Sequence, residues 1–306
     1  MSLRTDQQRT TRLLIAAESR VEREIIRNYV DSLRAVHKEL RGLYKKYSVN
    51  GVLTNAEMTR YNRNAAMQRQ LSEILKPYAV RNTELLRTLT ESQYEASFYR
   101  TAWSYDNTLR TSLGWGQIPI RQVKAAVWNR YNKGSLARLS IAHRTRLRRA
   151  ITQGITRGLS LPKMMREVRD ALGVTQRQAM MITRTEAHRA REVGHLGASQ
   201  DAMDKGVELW RVWDAALDSR TRDTHAQLDG KRVKPGESFP GGAEYPGGFG
   251  IASEDINCRC TVTDVIEGYE PTGRRVDGEV QPYQTFGEWA RSNGITQSRY
   301  GQRYNV

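Results

Sequence analysis

Between residues 21 and 47 the apolar side chains keep one spacing. Val21, Ile25, Tyr29, Leu33, Val36, Leu40, Leu43 and Tyr47 follow one another in steps of four or three. Side chains three and four apart share a helix face, so this spacing draws one narrow stripe along a long helix. Such a helix cannot bury itself alone and must pack on other helices or on a partner chain. The first part of the chain therefore reads as a helical bundle, or as a docking arm for a larger assembly. No stretch approaches the ~20 consecutive apolar residues of a membrane span. The opening MSLRTDQQRTTR lacks the apolar core of a secretory signal.

Thr54 and Glu57 have the spacing of a capping box and predict a second helix that stops near Pro77. A third helical pattern, with Leu85, Leu86, Leu89, Phe98 and Trp103, runs from about 80 to 110. The 306 residues suit about two domains by length. Residues 1–110 read as an N-terminal helical arm or bundle and 111–120 (TSLGWGQIPI) as a linker. Residues 121–205 read as a basic helical region and 206–268 as a small α+β domain with a cysteine pair. Residues 269–306 read as a tail with a short helix around Phe286 and Trp289. The predicted fold class is mainly α: long N-terminal helices and helical hairpins, then a small α+β C-terminal domain with a short β-sheet and a Gly/Pro-rich loop.

The charge is uneven. The chain holds 49 Lys and Arg against 33 Asp and Glu, a net of +16. Residues 1–200 carry 36 basic and 16 acidic side chains, and residues 201–306 carry 13 and 17, so the halves stand at +20 and −4. The most basic window is 121–149. It holds Arg121, Lys124, Arg130, Lys133, Arg138, Arg144, Arg146, Arg148 and Arg149, no acid, and the aromatics Trp128 and Tyr131. Phosphate neutralisation by such residues binds nucleic acid without reading its sequence. A solvated helix face, or a face toward an acidic protein, is the alternative.

Ser160 and Pro162 predict the start of another helix, Gly173 its stop, and Thr175 with Gln178 a capping box for the next. ALGVTQRQA resembles the turn of a helix-turn-helix. The favoured reading is a helical hairpin joined by a tight glycine turn, with no further break until Gly206. Beyond the turn, Arg184, His188, Arg191 and His195 share a face, and Ala187, Ala190, Gly194 and Ala198 form a small-residue stripe beside it. Glu186 is placed to pair with Arg189. Guanidiniums repel a cation, so that face suits a carboxylate or another anion better than a metal.

VELWRVW (207–213) reads as a strand. Asp218 is expected to cap a short helix, SRTRDTHAQL, ending at Asp229-Gly230. A second strand is expected from about 258, beyond the Gly/Pro loop 235–250. The cysteines, Cys258 and Cys260, would then point to one side. A disulfide between them would be strained. Two readings stand: two buried thiols with His225 hydrogen-bonded nearby, or a zinc site of His225, Cys258 and Cys260, with Asp229 a further candidate. A Cys nucleophile with His225 as base lacks a third member. A nuclease site of His225 and Asn257 would want further metal ligands. No catalytic residue is assigned, and no cofactor beyond a structural zinc.

The ordered set RTEAHRA (184–190), the strand ending in Trp213-Asp214, SRTRDTH (219–225), LDGK (228–231), the Gly/Pro loop and INCRC (256–260) resembles the head-morphogenesis domain of Mu-type phage minor head proteins. The resemblance covers about residues 120–265. Arg184, Glu186, His225, Asp229, Gly230, Asn257, Cys258, Arg259 and Cys260 match its motif, as fold-defining or metal-holding positions. It implies a virion component inside the capsid, assembled in the bacterial cytoplasm without a membrane step. The implied partners are the portal protein, packaged double-stranded DNA bound non-specifically, and the scaffold or major capsid protein. It supplies no established catalysis, so the chain reads as not an enzyme. The rivals are a helix-turn-helix regulator built on 160–190 and a metal-dependent nuclease centred on His225, Asp229 and the cysteine pair.

Overall fold

The computed structural model describes residues 3–127, 130–266, 269, 274–276, 279–281, 291–292 and 294–295. Of residues 130–138, 140, 274–276 and 279–281 it describes the main chain alone. Phe286 and Trp289 lie outside the described residues. The fold is mainly α with a small antiparallel sheet, as the sequence predicts. Its helices are α1 (Leu3–Tyr47), α2 (Asn55–Thr59), α3 (Arg63–Leu109), α4 (Ile120–Val127), α5 (Arg130–Thr156) and α6 (Leu161–Asp204), with a 3-10 turn at Arg60–Asn62 before α3. The C-terminal part holds β1 (Leu209–Asp214), α7 (Asp223–Ala226), β2 (Arg232–Val233), α8 (Ala252–Asp255), β3 (Thr261–Ile266), β4 (Arg274–Val276) and β5 (Glu279–Gln281). No helix among the described residues is long and apolar enough to cross a membrane.

The elements gather into two compact units. An arginine-rich unit comprises residues 20–87 and 130–183. A sheet-bearing unit comprises residues 1–19, 88–129 and 184–306. Helices α1, α3 and α6 each contribute to both.

In the arginine-rich unit, the predicted stripe of α1 supplies Val36 and Leu40, which cluster with Leu71 and Leu75 of α3, Leu147 and Ile151 of α5, and Met164, Val168 and Leu172 of α6. A smaller cluster joins Ile25 and Tyr29 to Ala179, with Leu85 packed against it. Burying such side chains contributes roughly 1.5–3 kcal/mol each, and this explains two failures of local rules. The helix expected to stop near Pro77 does not stop; α3 runs straight through it. Proline removes one backbone hydrogen bond and costs about 3 kcal/mol, which the buried leucines on either side offset. Thr54 does cap as predicted, its Oγ1 accepting from the Glu57 N–H at 3.2 Å, but the helix it opens is α2, only five residues long. Likewise α6 begins where Ser160 and Pro162 predict but continues through Gly173. Thr175 caps nothing: its hydroxyl donates to the Ala171 carbonyl at 3.3 Å, inside the helix. The hairpin and the helix-turn-helix both lose their turn, and α6 ends just before Gly206, whose φ is +87°.

In the sheet-bearing unit, Tyr94, Phe98, Ala102 and Tyr105 of α3 pack with Ala190, Ala198 and Ala202 of α6, Trp115, Ile118, and Leu209 and Ile266 of the sheet. The small-residue stripe on α6 permits this: a Cβ at Gly194 would lie 2.3 Å from the Tyr94 carbonyl oxygen. The sheet has the order β2-β1-β3, all antiparallel, with Trp213 opposite Val262 and Arg211 opposite Asp264. Two details of the C-terminal part differ from expectation. Asp218 caps no helix. It organises a turn, its Oδ1 accepting from the Arg220 N–H at 2.9 Å, and α7 is only four residues long. The second strand begins at Thr261, after both cysteines.

Candidate metal centre

Three buried ligand atoms converge in the sheet-bearing unit. His225 Nδ1 lies 3.5 Å from Cys260 Sγ and 3.7 Å from Cys258 Sγ, and the three atoms fall within 4.8 Å of one another. The sulfurs meet although neither cysteine is in a strand. The preceding Asn257 adopts a left-handed φ of +57°, and its N–H donates to Thr185 Oγ1 at 3.2 Å, which fixes the turn that carries the pair. His225 sits on α7. Phe249 of the Gly/Pro loop stacks on its ring at 5.1 Å, and Trp213 meets the ring edge-on at 5.9 Å. Phe239 packs against Trp213 at 5.0 Å, so the loop is ordered by packing on this centre. The other ring nitrogen, His225 Nε2, faces Glu254 Oε2 at 3.0 Å, and Thr224 Oγ1 donates to the same oxygen at 2.9 Å.

The two thiols share one environment unequally. Cys258 donates to Cys260, which brings Cys260 down to about 5, helped by a backbone hydrogen bond at Ala216 and by His225. That hydrogen bond, together with burial, pushes Cys258 up. Asp229 is not part of the centre. Its Oδ1 accepts from the Ala215 N–H at 2.8 Å, and Gly230, at φ +72°, donates its N–H to the Trp213 carbonyl at 2.8 Å. The Asp-Gly pair is thus a corner of the framework. Arg259 grips Asp218 with both Nη atoms, which holds the Asp218 carboxyl well below the usual range. Glu186 accepts from Arg189 Nε at 3.0 Å, as its spacing predicts, and Arg184 is exposed on α6.

Of the shared face of α6, His188, Arg191 and His195 are buried, and carboxylates answer them. His195 Nε2 lies 2.5 Å from Asp264 Oδ2. The same oxygen accepts from Tyr105, from Ser199 Oγ at 3.0 Å and from Gln7 Nε2 at 3.2 Å. Burial pushes the Asp264 carboxyl up, but His195 and Arg211 pull it down further, so the net is below its ordinary value. Arg191 reaches Gln93 Oε1 at 3.2 Å and Glu18 Oε2 at 3.5 Å. Burial raises Glu192 to about 7 and holds His188 well below its usual range. Sequence reasoning missed Asp264, Arg211, Tyr105, Gln7 and Glu254. One signal was available: Val262, Asp264 and Ile266 alternate onto one strand face, as do Leu209, Arg211 and Trp213, so an acid and a base sit among apolar neighbours.

The nine basic residues of 121–149 are divided. Arg121 and Lys124 are exposed on α4 in the sheet-bearing unit. Arg144, Arg148 and Arg149 are exposed on α5 in the other, where Arg146 is half-buried and donates to Gln178 Oε1 at 2.6 Å. The side chains of Arg130, Tyr131, Lys133 and Arg138, and the whole of Trp128, lie outside the described residues.

Residues 145–263, which include every motif position from Arg184 to Cys260, match the family described as Phage Mu protein F like protein. Over this segment the chain is similar to that family. Similarity to phage minor head proteins extends further: minor head protein GP7 of Bacillus phage SPP1 is 29% identical over 286 residues, 89% of this chain and 92% of that protein. An Enterococcus faecalis protein named NAD(+)--arginine ADP-ribosyltransferase EFV is 26% identical over 250 residues, 77% of this chain but 51% of that protein. An uncharacterized Haemophilus influenzae protein is 24% identical over 148 residues, 47% of this chain and 30% of that protein. The chain spans about half the length of the Enterococcus relative and less than a third of the Haemophilus one. No solved structure matches. The expectation that the chain is not an enzyme is overturned by the Enterococcus relative. A protein similar over most of this chain is named for a transferase, so the resemblance does not separate the chain from enzymes.

Proposed function

We propose that this chain is a minor component of a phage head that associates with the portal vertex during prohead assembly, lies inside the capsid and touches packaged double-stranded DNA without sequence preference. Similarity to the Phage Mu protein F like family over residues 145–263 and to a minor head protein over nearly the whole chain supports the assembly part. One observation carries the DNA part: the placement of charge. The arginine-rich unit holds 26 basic and 9 acidic side chains, a net of +17, while the sheet-bearing unit holds 23 and 24, a net of −1. The whole excess sits on the unit whose interior is apolar. Arginines on its surface face outward, as at Arg144, Arg148 and Arg149. Arginines so placed neutralise phosphate and release its counterions.

Two experiments test this. In a titration of random duplex DNA, log K is expected to fall linearly with log salt. Replacing Arg144, Arg148 and Arg149 by Ala reduces the slope by about 0.9 for each phosphate that is no longer neutralised. Binding that is absent, insensitive to salt, or strongly selective for one duplex sequence refutes the DNA contact. Co-expression with the portal protein of the same phage should yield a complex on purification. Failure of the two to co-purify refutes the portal association and leaves the DNA result standing by itself.

A further inference from the structure

We propose that His225, Cys258 and Cys260 bind one zinc ion, with Glu254 as the positioning residue for His225 and a water molecule as the fourth ligand. The distances fit first. Zinc holds sulfur at about 2.3 Å and imidazole nitrogen at about 2.0–2.1 Å, so a tetrahedral arrangement sets nitrogen and sulfur about 3.6 Å apart. His225 Nδ1 stands 3.5 and 3.7 Å from the two sulfurs. One imidazole lone pair can accept one S–H along its axis, and here two sulfurs stand about it at nearly equal distance, as ligands stand about a shared centre. The histidine is also set for the task. Its Nε2 stands 3.0 Å from Glu254 Oε2 as an ion-pair contact, not an aligned hydrogen bond, and its Nδ1 is turned to the two sulfurs. A carboxylate behind a ligating histidine orients the ring and strengthens the ligand.

Charge and setting agree. Zinc with two thiolates and a neutral imidazole has no net charge, which suits a centre walled by Trp213, Phe239 and Phe249. His225 is separated from the cysteines by 33 and 35 residues, a span that includes the Gly/Pro loop. An ion tying these ends removes the entropy of an open loop and holds the small apolar cluster around Trp213.

The test uses the full chain. Purified with zinc and dialysed, it should retain about one equivalent, and Cys258→Ser and Cys260→Ser should each lose it. X-ray absorption at the zinc edge should show two sulfur and two nitrogen or oxygen neighbours. The cysteine variants can fail to fold, so Glu254→Ala provides the second reading. It should weaken zinc about tenfold with an unchanged circular dichroism spectrum, and Glu254→Gln should fall between it and the parent. Retention of less than about a tenth of an equivalent by the parent chain overturns the proposal. So does a zinc shell without two sulfurs, or an unchanged zinc content in Cys258→Ser.

Discussion

The arginine-rich unit and the sheet-bearing unit share three helices and treat charge in opposite ways. Among the described residues, the first buries one histidine, His143, and no acid, lysine or arginine. The second buries Asp264, Arg211, Glu192, Arg191, His195 and His188 within one fold. Charge that stays outside is available to a partner. Charge taken inside costs desolvation and must be answered by hydrogen bonds, which ties the protein to one arrangement. The family motif lies largely in the second unit, whose net charge is near zero, so what marks the chain's kinship is separate from what makes it basic.

The largest effect should come from breaking the buried network. Asp264→Ala removes the acceptor of His195, Tyr105, Ser199 and Gln7. It should cost about 3–5 kcal/mol in urea unfolding. A loss near that of a surface acid, under about 0.5 kcal/mol, would erase the contrast between the units.

His143 gives the corresponding test in the other unit. Burial, aided by Arg146, lowers it to about 4 from 6.5. As pH falls from about 6.5 to about 4, the unfolded chain takes up a proton that the folded chain refuses, so stability declines. The total is about 3 kcal/mol at 1.36 kcal/mol per pH unit. His143→Phe, stacking on Tyr29 in its place, should flatten that part of the pH–stability curve. Asp264, held below its ordinary value, contributes stability above about pH 4 and loses it only on further acidification, so the two titrations separate.

A third test makes one substitution at two places on α6. Gly194→Ala drives a methyl into the Tyr94 carbonyl and should cost about 1–3 kcal/mol. Gly173→Ala meets nothing nearer than Arg177 Nη1 at 3.8 Å and should stabilise by up to about 1 kcal/mol. Thermal melts that shift in the same direction would contradict the close helix approach. The smallest effect is at Thr54→Ala, which loses the cap on the Glu57 N–H and should cost about 1 kcal/mol.

Periodicity was legible and punctuation was not. The stripe of α1 reads directly because burial repeats with the helix. Pro77 and Gly173 are stop signals in a short window, yet Leu71 and Leu75 before one, and Leu172 and Ala179 around the other, are buried by residues far away in the chain. His225 and the cysteines could be grouped because their residue types are rare and chemically matched. Their strand placement failed because the positive φ of Asn257 has no strong local signature. Gln7 and Asp264 are 257 positions apart, and no local pattern connects them.

The continuity of α1, α3 and α6 through both units bears on inheritance. Residues 145–263 carry the family's mark, but neither unit is complete within them. A fragment cut to that segment lacks Leu40 and Leu75 from one apolar cluster and Tyr105 and Trp115 from the other. The stretch by which relatives are recognised and the body that can fold are different objects. Recombination that moved only the recognisable stretch would have to find, in the receiving chain, helices to stand in for those left behind.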